Sequence, residues 1–282
     1  MEYKTYTMDL AGRPLTLEFG KYAQQAAGSA LVRFGDTVVI VNATMSENVR
    51  EGVDFFPLSV DFEEKHYAVG KIPGGFFKRE GRPNEREILI CRIIDRSIRP
   101  LFPKGYNYET QLIATVLSVD GEHDSDLAAL LGASTALQIS NIPFNGPIVG
   151  DRIGRVDGKL VANPTSMEGS DLDMFIVGRK VTPGTDGKPY DVNLVMLEGG
   201  ADELPEDVIV DAIDFGLEAM RPVIDLQDQM RTAVGKAKRP VPAVAVDAAD
   251  LAKVSDVALA GLNGGYPIAR QMERYAKLDE VR

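Results

Sequence analysis

Residues 54–106 read DFFPLSVDFEEKHYAVGKIPGGFFKREGRPNEREILICRIIDRSIRPLFPKGY, a stretch that contains a predicted strand, a loop and a predicted helix. The opening letters DFFPLSVDFEE mix aromatic and aliphatic residues with polar ones in the manner of a strand. The helix begins after Pro83, where Asn84 can cap the first turn and Glu87, three residues later, completes a capping box. The residues between the two elements are rich in glycine, proline and basic side chains, which predicts a loop.

The loop places two adjacent phenylalanines, Phe76 and Phe77, beside the basic residues Lys78, Arg79 and Arg82. Single-stranded RNA is bound by cations that contact its phosphates and by aromatic rings that stack on its bases. The same residues are also compatible with one phenylalanine in the core and a solvated basic turn. The residues alone leave both interpretations open.

The charge of the chain is unevenly distributed. The segment from Lys71 to Lys104 contains nine basic and four acidic residues, whereas the whole chain carries a net charge of −11. An acidic average is unfavourable for nucleic-acid binding. Because salt screens a charge beyond about 8–10 Å, however, a basic segment can attract a polyanion locally.

Composition places the chain among ordinary globular proteins, with 282 residues, 44% apolar and 26% charged. The single cysteine, Cys91, cannot form an internal disulfide, which favours a reducing compartment. The first residues carry charges and do not resemble a secretory signal, and no apolar run reaches the roughly 18 residues of a membrane helix. We therefore predict a cytoplasmic protein without a membrane partner.

The remaining sequence alternates strand and helix patterns. Two apolar runs around Gly35-Asp36 predict a hairpin, and another hairpin is predicted at Asp157-Gly158. TQLIATVLSVD, LDMFIVGRKV and YDVNLVMLEGG predict strands, and SDLAALLGASTALQISN predicts a small-residue helix that can pack close to a sheet. We predict a mixed α/β (α+β) body over residues 1–220 and a small all-helical domain over residues 221–282. The charged final segment resembles a helix cut in mid-course, which predicts a longer parent protein.

Residues 54–106, together with the later segments LLGASTALQISNIPFNGPI and VANPT, closely resemble the first core domain of the bacterial polynucleotide phosphorylase (polyribonucleotide nucleotidyltransferase) family. The resemblance implies an RNase PH-like core, with the fold of ribosomal protein S5 domain 2, followed by an incomplete helical linker domain. In that family each subunit holds two such cores, three subunits form a ring around a central pore, and RNA-binding KH and OB-type domains follow.

The resemblance also implies an activity, namely 3′-to-5′ phosphorolysis of single-stranded RNA in messenger RNA decay. It implies a homotrimer, further partners in an RNA-degradation complex, and Mg²⁺ (or Mn²⁺) and inorganic phosphate bound on a second core outside this sequence. In the family the Phe-Phe-basic loop lines the pore through which RNA threads. The implied RNA-binding residues are Phe76, Phe77, Lys78, Arg79, Arg82, Arg96 and Arg99, the last two on one face of the predicted helix.

Catalysis within this chain is not expected. A competent core of the family cradles phosphate at a helix start, where this chain carries Asp120, Glu122, Asp124 and Asp126, whose charges would repel phosphate. These acids, with His123, could instead hold a metal, or Ser125 or Asp124 could cap the helix, and we favour the cap. We therefore predict no metal site.

The family's second catalytic motif is an Asp-x-Asp pair followed by a lysine that helps to hold a metal. Asp171 and Asp173 match the acidic positions, but Phe175 stands in the place of the lysine. We therefore predict a non-catalytic core that assembles the ring and threads RNA. Two alternatives remain open: a self-sufficient metal-dependent phosphorolytic exoribonuclease that uses Asp171 and Asp173, and a purely structural ring-forming module.

Overall fold

The computed structural model describes residues 3–76, 78–122, 124–241 and 247–281. The chain divides into two compact units, Met1–Val241 and Pro242–Arg282. The strands are β1 Lys4–Leu10, β2 Arg13–Phe19, β3 Gly28–Phe34, β4 Thr37–Met45, β5 Leu58–Glu64, β6 Thr110–Ser118, β7 Ile148–Val156, β8 Lys159–Ala162, β9 Ser170–Val181 and β10 Asp191–Ala201. The helices are α1 Glu85–Ile98, α2 Ser125–Ile139, α3 Glu206–Ala219, α4 Arg221–Val234, α5 Ala248–Gly265 and α6 Gln271–Asp279.

Two sheets form the first unit. The larger sheet has the strand order β1-β2-β3-β4-β6-β5, and its neighbours are antiparallel except for the parallel pair β5 and β6. The smaller sheet is antiparallel, in the order β10-β9-β7-β8. The predicted mixed α/β fold is confirmed. The edge strand β1 was not predicted, because every second side chain is exposed and the rest are only half-buried.

Helix α2 packs between the two sheets, and all but one of its residues are buried. Small residues permit this close contact on both sides. A Cβ atom added to Gly132 would lie 2.5 Å from Cγ2 of Val41 in β4, and one added to Gly150 in β7 would lie 2.5 Å from Cδ2 of Leu130. Since real Cβ atoms do not approach other atoms so closely, larger residues would push the layers apart.

Helix α1 begins with the predicted capping box, which is confirmed. The Asn84 side chain accepts a hydrogen bond from the Glu87 amide at 2.9 Å, and the Glu87 carboxylate accepts one from the Asn84 amide at 2.6 Å. The cap of α2 differs from the prediction. Asp124 occupies the N-cap position without a side-chain cap bond, and Ser125 donates instead to Glu64 of β5 at 2.9 Å.

Helix α4 belongs to the first compact unit, although the predicted boundary at residue 220 assigned it to the helical domain. Its buried Gln227 accepts a hydrogen bond from Ser134 of α2 at 2.7 Å and donates one to the carbonyl of Ile148 in β7 at 2.9 Å. The compact units therefore divide at Val241–Pro242. Sequence patterning could not locate this division, because α4 is an ordinary amphipathic helix whose partners are distant in sequence.

The second unit contains α5 and α6, which pack against each other. Glycines in α5 permit the contact, since a Cβ atom at Gly265 would lie 2.6 Å from Cδ2 of Leu278. Across the described parts of both units, none of the helices has the length and hydropathy needed to cross a bilayer.

Asp151 in β7 is a fully buried carboxyl group with one hydrogen bond. Its Oδ1 atom accepts from Asn163 at 2.7 Å, and its Oδ2 atom has no partner among the described residues. Burial raises the pKa of Asp151 from 3.8 to about 7, and the hydrogen bond from Asn163 offsets only part of that effect. The folded protein therefore holds this proton more tightly than the unfolded chain does.

We expect Asp151→Asn to remove a pH-dependent loss of stability. Because the folded-state pKa is raised, the wild-type carboxyl loses its stabilising contribution as the pH rises from 3.8 to about 7. The free energy of unfolding of the wild type, measured by urea denaturation, should therefore fall relative to that of Asp151→Asn across this range. Asp54→Asn, at an exposed carboxylate, should leave the pH profile unchanged. Parallel profiles for wild type and Asp151→Asn would contradict the assignment.

Candidate nucleic-acid interface

The loop between β5 and α1, residues 65–84, is the candidate RNA-binding element. Phe76 lies in its irregular central part and is 93% exposed. The preceding Gly75 has a φ of 75°, a left-handed conformation that glycine adopts at little cost. Phe77 lies outside the described residues. Of the two predicted stacking rings, the structure therefore places Phe76 on the surface.

Three predicted phosphate contacts lie in the same loop. Lys78, Arg79 and Arg82 are all exposed. Lys78 has a φ of 51°, in the left-handed region that residues other than glycine rarely adopt. The structure therefore brings an exposed ring and three exposed cations together in one loop.

Glu87 fastens the two ends of this loop to each other. Besides closing the capping box of α1, its Oε1 atom accepts a hydrogen bond from the amide of Glu64, the last residue of β5, at 2.8 Å. Glu87 itself is buried. One carboxylate thus joins the end of the strand to the start of the helix, and the loop leaves the body between these two points.

Arg96 lies on the exposed face of α1 and Arg99 directly follows its last residue, and the two have different surroundings. Arg96 forms an ion pair with Glu198 of β10 at 3.3 Å, and both side chains are half-exposed. Arg99 binds both carboxylate oxygens of Asp95 and donates to the carbonyls of Phe56 at 3.2 Å and Leu58 at 3.1 Å. The contacts of Arg99 join α1 to β5, and its role in RNA binding stays a prediction, as does that of Arg96.

A second charged cluster lies at the N-terminus of α2, around Arg152 of β7. Arg152 contacts Asp126 at 3.0 Å, Asp124 at 3.2 Å and Asp173 of β9 at 3.7 Å. Arg86 approaches the same Asp124 at 3.9 Å. Arg152, Arg86 and Asp124 line an open cleft of about 720 Å³, whose lining also includes Lys65, His66 and Lys71 of the loop between β5 and α1. Arg152 and Arg86 are thus paired with carboxylates of the same chain, while the exposed Lys71 adds a further cation to the lining.

Burial and mutual charge set the protonation of the cluster. Burial, and after it the neighbouring Asp124, raises the pKa of Asp126, while Arg152 partly offsets both. Burial opposes the charge of Arg152, but Asp126, Asp124 and Asp173 outweigh it and raise the pKa of the guanidinium. The cluster is therefore a network of three carboxylates around one arginine, Arg152.

The two catalytic candidates, Asp171 and Asp173, pair with different arginines. Asp171 forms an ion pair with Arg155, whereas the exposed Asp173 faces Arg152. Phe175, in the position where the family motif has lysine, is buried, and its ring lies 3.2 Å from the position of a Cβ atom on Gly150. Its side chain fills the core and not the cleft.

The four acidic residues predicted to act together near the start of α2 do not share one site. Asp120 accepts hydrogen bonds from the Asp36 amide at 2.9 Å and from the Thr37 hydroxyl at 3.1 Å, so it fastens the β3–β4 turn. Glu122 is exposed, and Asp124 and Asp126 turn to Arg152. His123 lies outside the described residues.

Arg152 and Arg155 already occupy the carboxylates that a metal would need. A metal would have to displace Arg152 and Arg155 from the carboxylates that they neutralise, and no cluster suited to a metal occurs among the residues described. Phosphate would have to compete with Asp124, Asp126 and Asp173 for Arg152. Sequence reasoning missed Arg152, because its pairing with residues on α2 and β9 has no local signal in the sequence.

We expect Arg99→Ala to destabilise the protein more than Arg96→Ala does. The loss of hydrogen bonds from a charged group to two carbonyls and a carboxylate should cost about 1.5–3 kcal/mol, whereas an exposed ion pair contributes about 0–1 kcal/mol. Urea denaturation of the two variants and the wild type measures both effects. Equal losses would show that Arg99 does not join α1 to β5 energetically.

Family models match successive parts of the chain. Domain 1 of the 3′ exoribonuclease family matches residues 11–143, and domain 2 of the same family matches residues 146–219.

Curated relatives share the name polyribonucleotide nucleotidyltransferase. The protein from Syntrophus aciditrophicus is 60% identical over 279 residues, which are 98% of this chain and 40% of that protein. The protein from Heliobacterium modesticaldum is 50% identical over 85% of this chain and 32% of its own length, and that from Geobacillus kaustophilus is 46% identical over 100% and 38%. The chain thus spans about two fifths or less of these relatives, and the resemblance seen in the sequence is confirmed.

Among solved structures, Rrp46 from rice (Oryza sativa) has a similar fold. It superposes with a TM-score of 0.58 at 16% identity, over 81% of this chain and 94% of the rice chain. Since the two domain models together match most of the residues and the fold agrees, this chain belongs to the 3′ exoribonuclease family and has an RNase PH-like core.

Proposed function

We propose that this chain is the RNA-threading core of a polyribonucleotide nucleotidyltransferase. In this proposal, loop 65–84 binds single-stranded RNA, and 3′-to-5′ phosphorolysis takes place on another part of the parent protein, where Mg²⁺ or Mn²⁺ and inorganic phosphate bind. The role of the present core is to hold the RNA and to build the assembly around it.

The observation that carries the proposal is the 93% exposure of Phe76 beside exposed Lys78, Arg79 and Arg82. An exposed phenylalanine in a loop contributes little to folding, but it can stack on a base and contribute about 1–3 kcal/mol per base without sequence preference. The adjacent cations suit phosphates on either side of that base. Both requirements of a single strand are thus met within one loop.

The cleft around Arg152 supports the assignment of catalysis to another site. The attack of phosphate on an RNA phosphodiester brings two anions together and needs cations that are available to both. Here the half-buried Arg152 is already paired with Asp124, Asp126 and Asp173. The proposal therefore treats this cleft as structural.

The first test is phosphorolysis by the chain itself. The purified 282-residue protein, given RNA, phosphate and Mg²⁺, is expected to release no nucleoside diphosphate, because Arg152 in its cleft is already engaged by Asp124, Asp126 and Asp173. Turnover that disappears in Asp173→Asn would instead establish the alternative of a self-sufficient phosphorolytic exoribonuclease. Chromatography of the released nucleotides measures the outcome.

The second test is RNA affinity. Phe76→Ala should weaken the binding of a fluorescent single-stranded RNA about 5- to 150-fold, the equivalent of one lost stacking contact. Arg79→Ala should weaken binding and reduce the salt dependence of the affinity by about 0.7 of a unit of slope, since one phosphate contact is lost. Fluorescence anisotropy over a salt series measures both.

Matched variants outside the loop separate these effects from general ones. Phe55 is 62% exposed and Arg50 is also exposed, so Phe55→Ala and Arg50→Ala remove a surface ring and a surface charge elsewhere. Neither variant should change the RNA affinity. If the loop variants bind RNA as the wild type does, the proposed RNA interface is refuted.

The exposed apolar residues of α1 favour a second role in assembly. Ile88 is 50% and Leu89 49% exposed, next to the basic Arg92. Apolar side chains on the outer face of a helix are typical of surfaces that meet another chain. The proposal includes a homotrimer that uses this face. The purely structural alternative requires the double change Phe76→Ala plus Phe77→Ala in the full-length protein to disrupt assembly, with no change in the RNA affinity of any residual trimer.

A further inference from the structure

The loop that carries Phe76 is closed at its neck by Glu80. Oε1 of Glu80 accepts a hydrogen bond from the backbone amide of His66 at 2.8 Å, and its Oε2 lies 3.1 Å from Nζ of Lys65. Nδ1 of His66 lies 3.6 Å from the same carboxylate. These contacts join the returning branch of the loop, immediately after the basic pair Lys78-Arg79, to its outgoing branch.

The outgoing branch is itself fixed to the body. Residues His66–Val69 form a 3₁₀ turn, and the carbonyl of Ala68 accepts a hydrogen bond from the amide of Val119, just after β6, at 3.3 Å. The carboxylate of Glu80 therefore connects the returning branch of the loop to a turn that is hydrogen-bonded to the end of β6. The hydrogen bond from the His66 amide, and after it Lys65, lowers the pKa of Glu80, which agrees with a carboxylate that is ionised in this contact.

Because Glu80 is negatively charged, its electrostatic effect on RNA binding and its effect on the shape of the loop have opposite signs. RNA is a polyanion, and an acidic residue one position from Arg79 repels it, so electrostatics alone predicts that removal of Glu80 strengthens binding. A contact that holds the loop in a binding-competent shape has the opposite effect, since a loop ordered in advance loses less conformational entropy on binding.

We propose that Glu80 is a positioning residue for RNA binding, which holds Phe76, Lys78 and Arg79 in place by closing the neck of the loop against Lys65 and His66. This inference rests on the proposed function of the loop and adds a residue that the RNA itself does not need to touch. In this proposal Glu80 stabilises the loop conformation in which the ring of Phe76 and the cations of Lys78 and Arg79 can contact the same RNA molecule.

Two variants of Glu80 separate position from charge. Glu80→Ala and Glu80→Gln remove the same negative charge, but glutamine keeps an oxygen that can accept the hydrogen bond from the His66 amide. We expect Glu80→Ala to bind single-stranded RNA about 5- to 10-fold more weakly than Glu80→Gln, because only the alanine variant must order the loop on binding. Glu85→Ala removes an exposed acid in the first turn of α1 and should not weaken binding.

Hydrogen exchange supplies a readout that a general loss of stability would not give. In Glu80→Ala the amide of His66 should exchange faster than in Glu80→Gln, while amides of α2 keep their protection. Equal RNA affinities of Glu80→Ala and Glu80→Gln, or faster exchange in Glu80→Ala without weaker binding, would overturn the inference.

Failure of this inference is distinguishable from failure of the proposed function. If Phe76→Ala and Arg79→Ala weaken RNA binding but the two Glu80 variants bind equally, the loop binds RNA and Glu80 does not position it. If Phe76→Ala and Arg79→Ala bind as the wild type does, the interface itself is refuted, and the inference about Glu80 is overturned with it.

Discussion

The packing of α2 between two sheets is the constraint on which the rest of the structure depends. This helix has almost no exposed side chain, so the two sheets together fix the direction of its axis. Gly132 and Gly150 set how closely the helix approaches β4 and β7. The N-terminus of the helix must consequently face β7 and β9, where it meets Arg152. Asp124 and Asp126 take their positions from that contact.

The protein therefore contains two groups of basic side chains, one paired with carboxylates in the cleft and one exposed in loop 65–84. In the cleft, Arg152 is surrounded by carboxylates from α2 and β9, and its charge is satisfied within the chain. In loop 65–84 the cations lie on the surface beside Phe76, and the acid nearest to Arg79 is turned back to the neck of the loop. An acidic protein can therefore present one locally cationic surface, because its carboxylates are engaged elsewhere or lie beyond the reach of the loop.

Local signals in the sequence predicted most of the fold. The capping box of Asn84 and Glu87, the hairpin at Asp157-Gly158 and the small-residue helix α2 each depend on neighbours a few residues away, and each is present. The pairing of Arg152 with Asp126 spans 26 positions and that of Glu80 with His66 spans 14, so no local pattern could indicate them. The contacts of α4 with α2 and β7 could not be predicted for the same reason, since Gln227 meets its partners only in the folded chain.

The central claim is that single-stranded RNA meets this core at the loop and not at the cleft. Photo-crosslinking of an RNA that contains 4-thiouridine, followed by mass spectrometry of the attached peptides, tests that claim most directly. The account predicts crosslinks in the peptide around Phe76. Crosslinks confined to the peptides around Asp124 and Asp173, with none in loop 65–84, would contradict it.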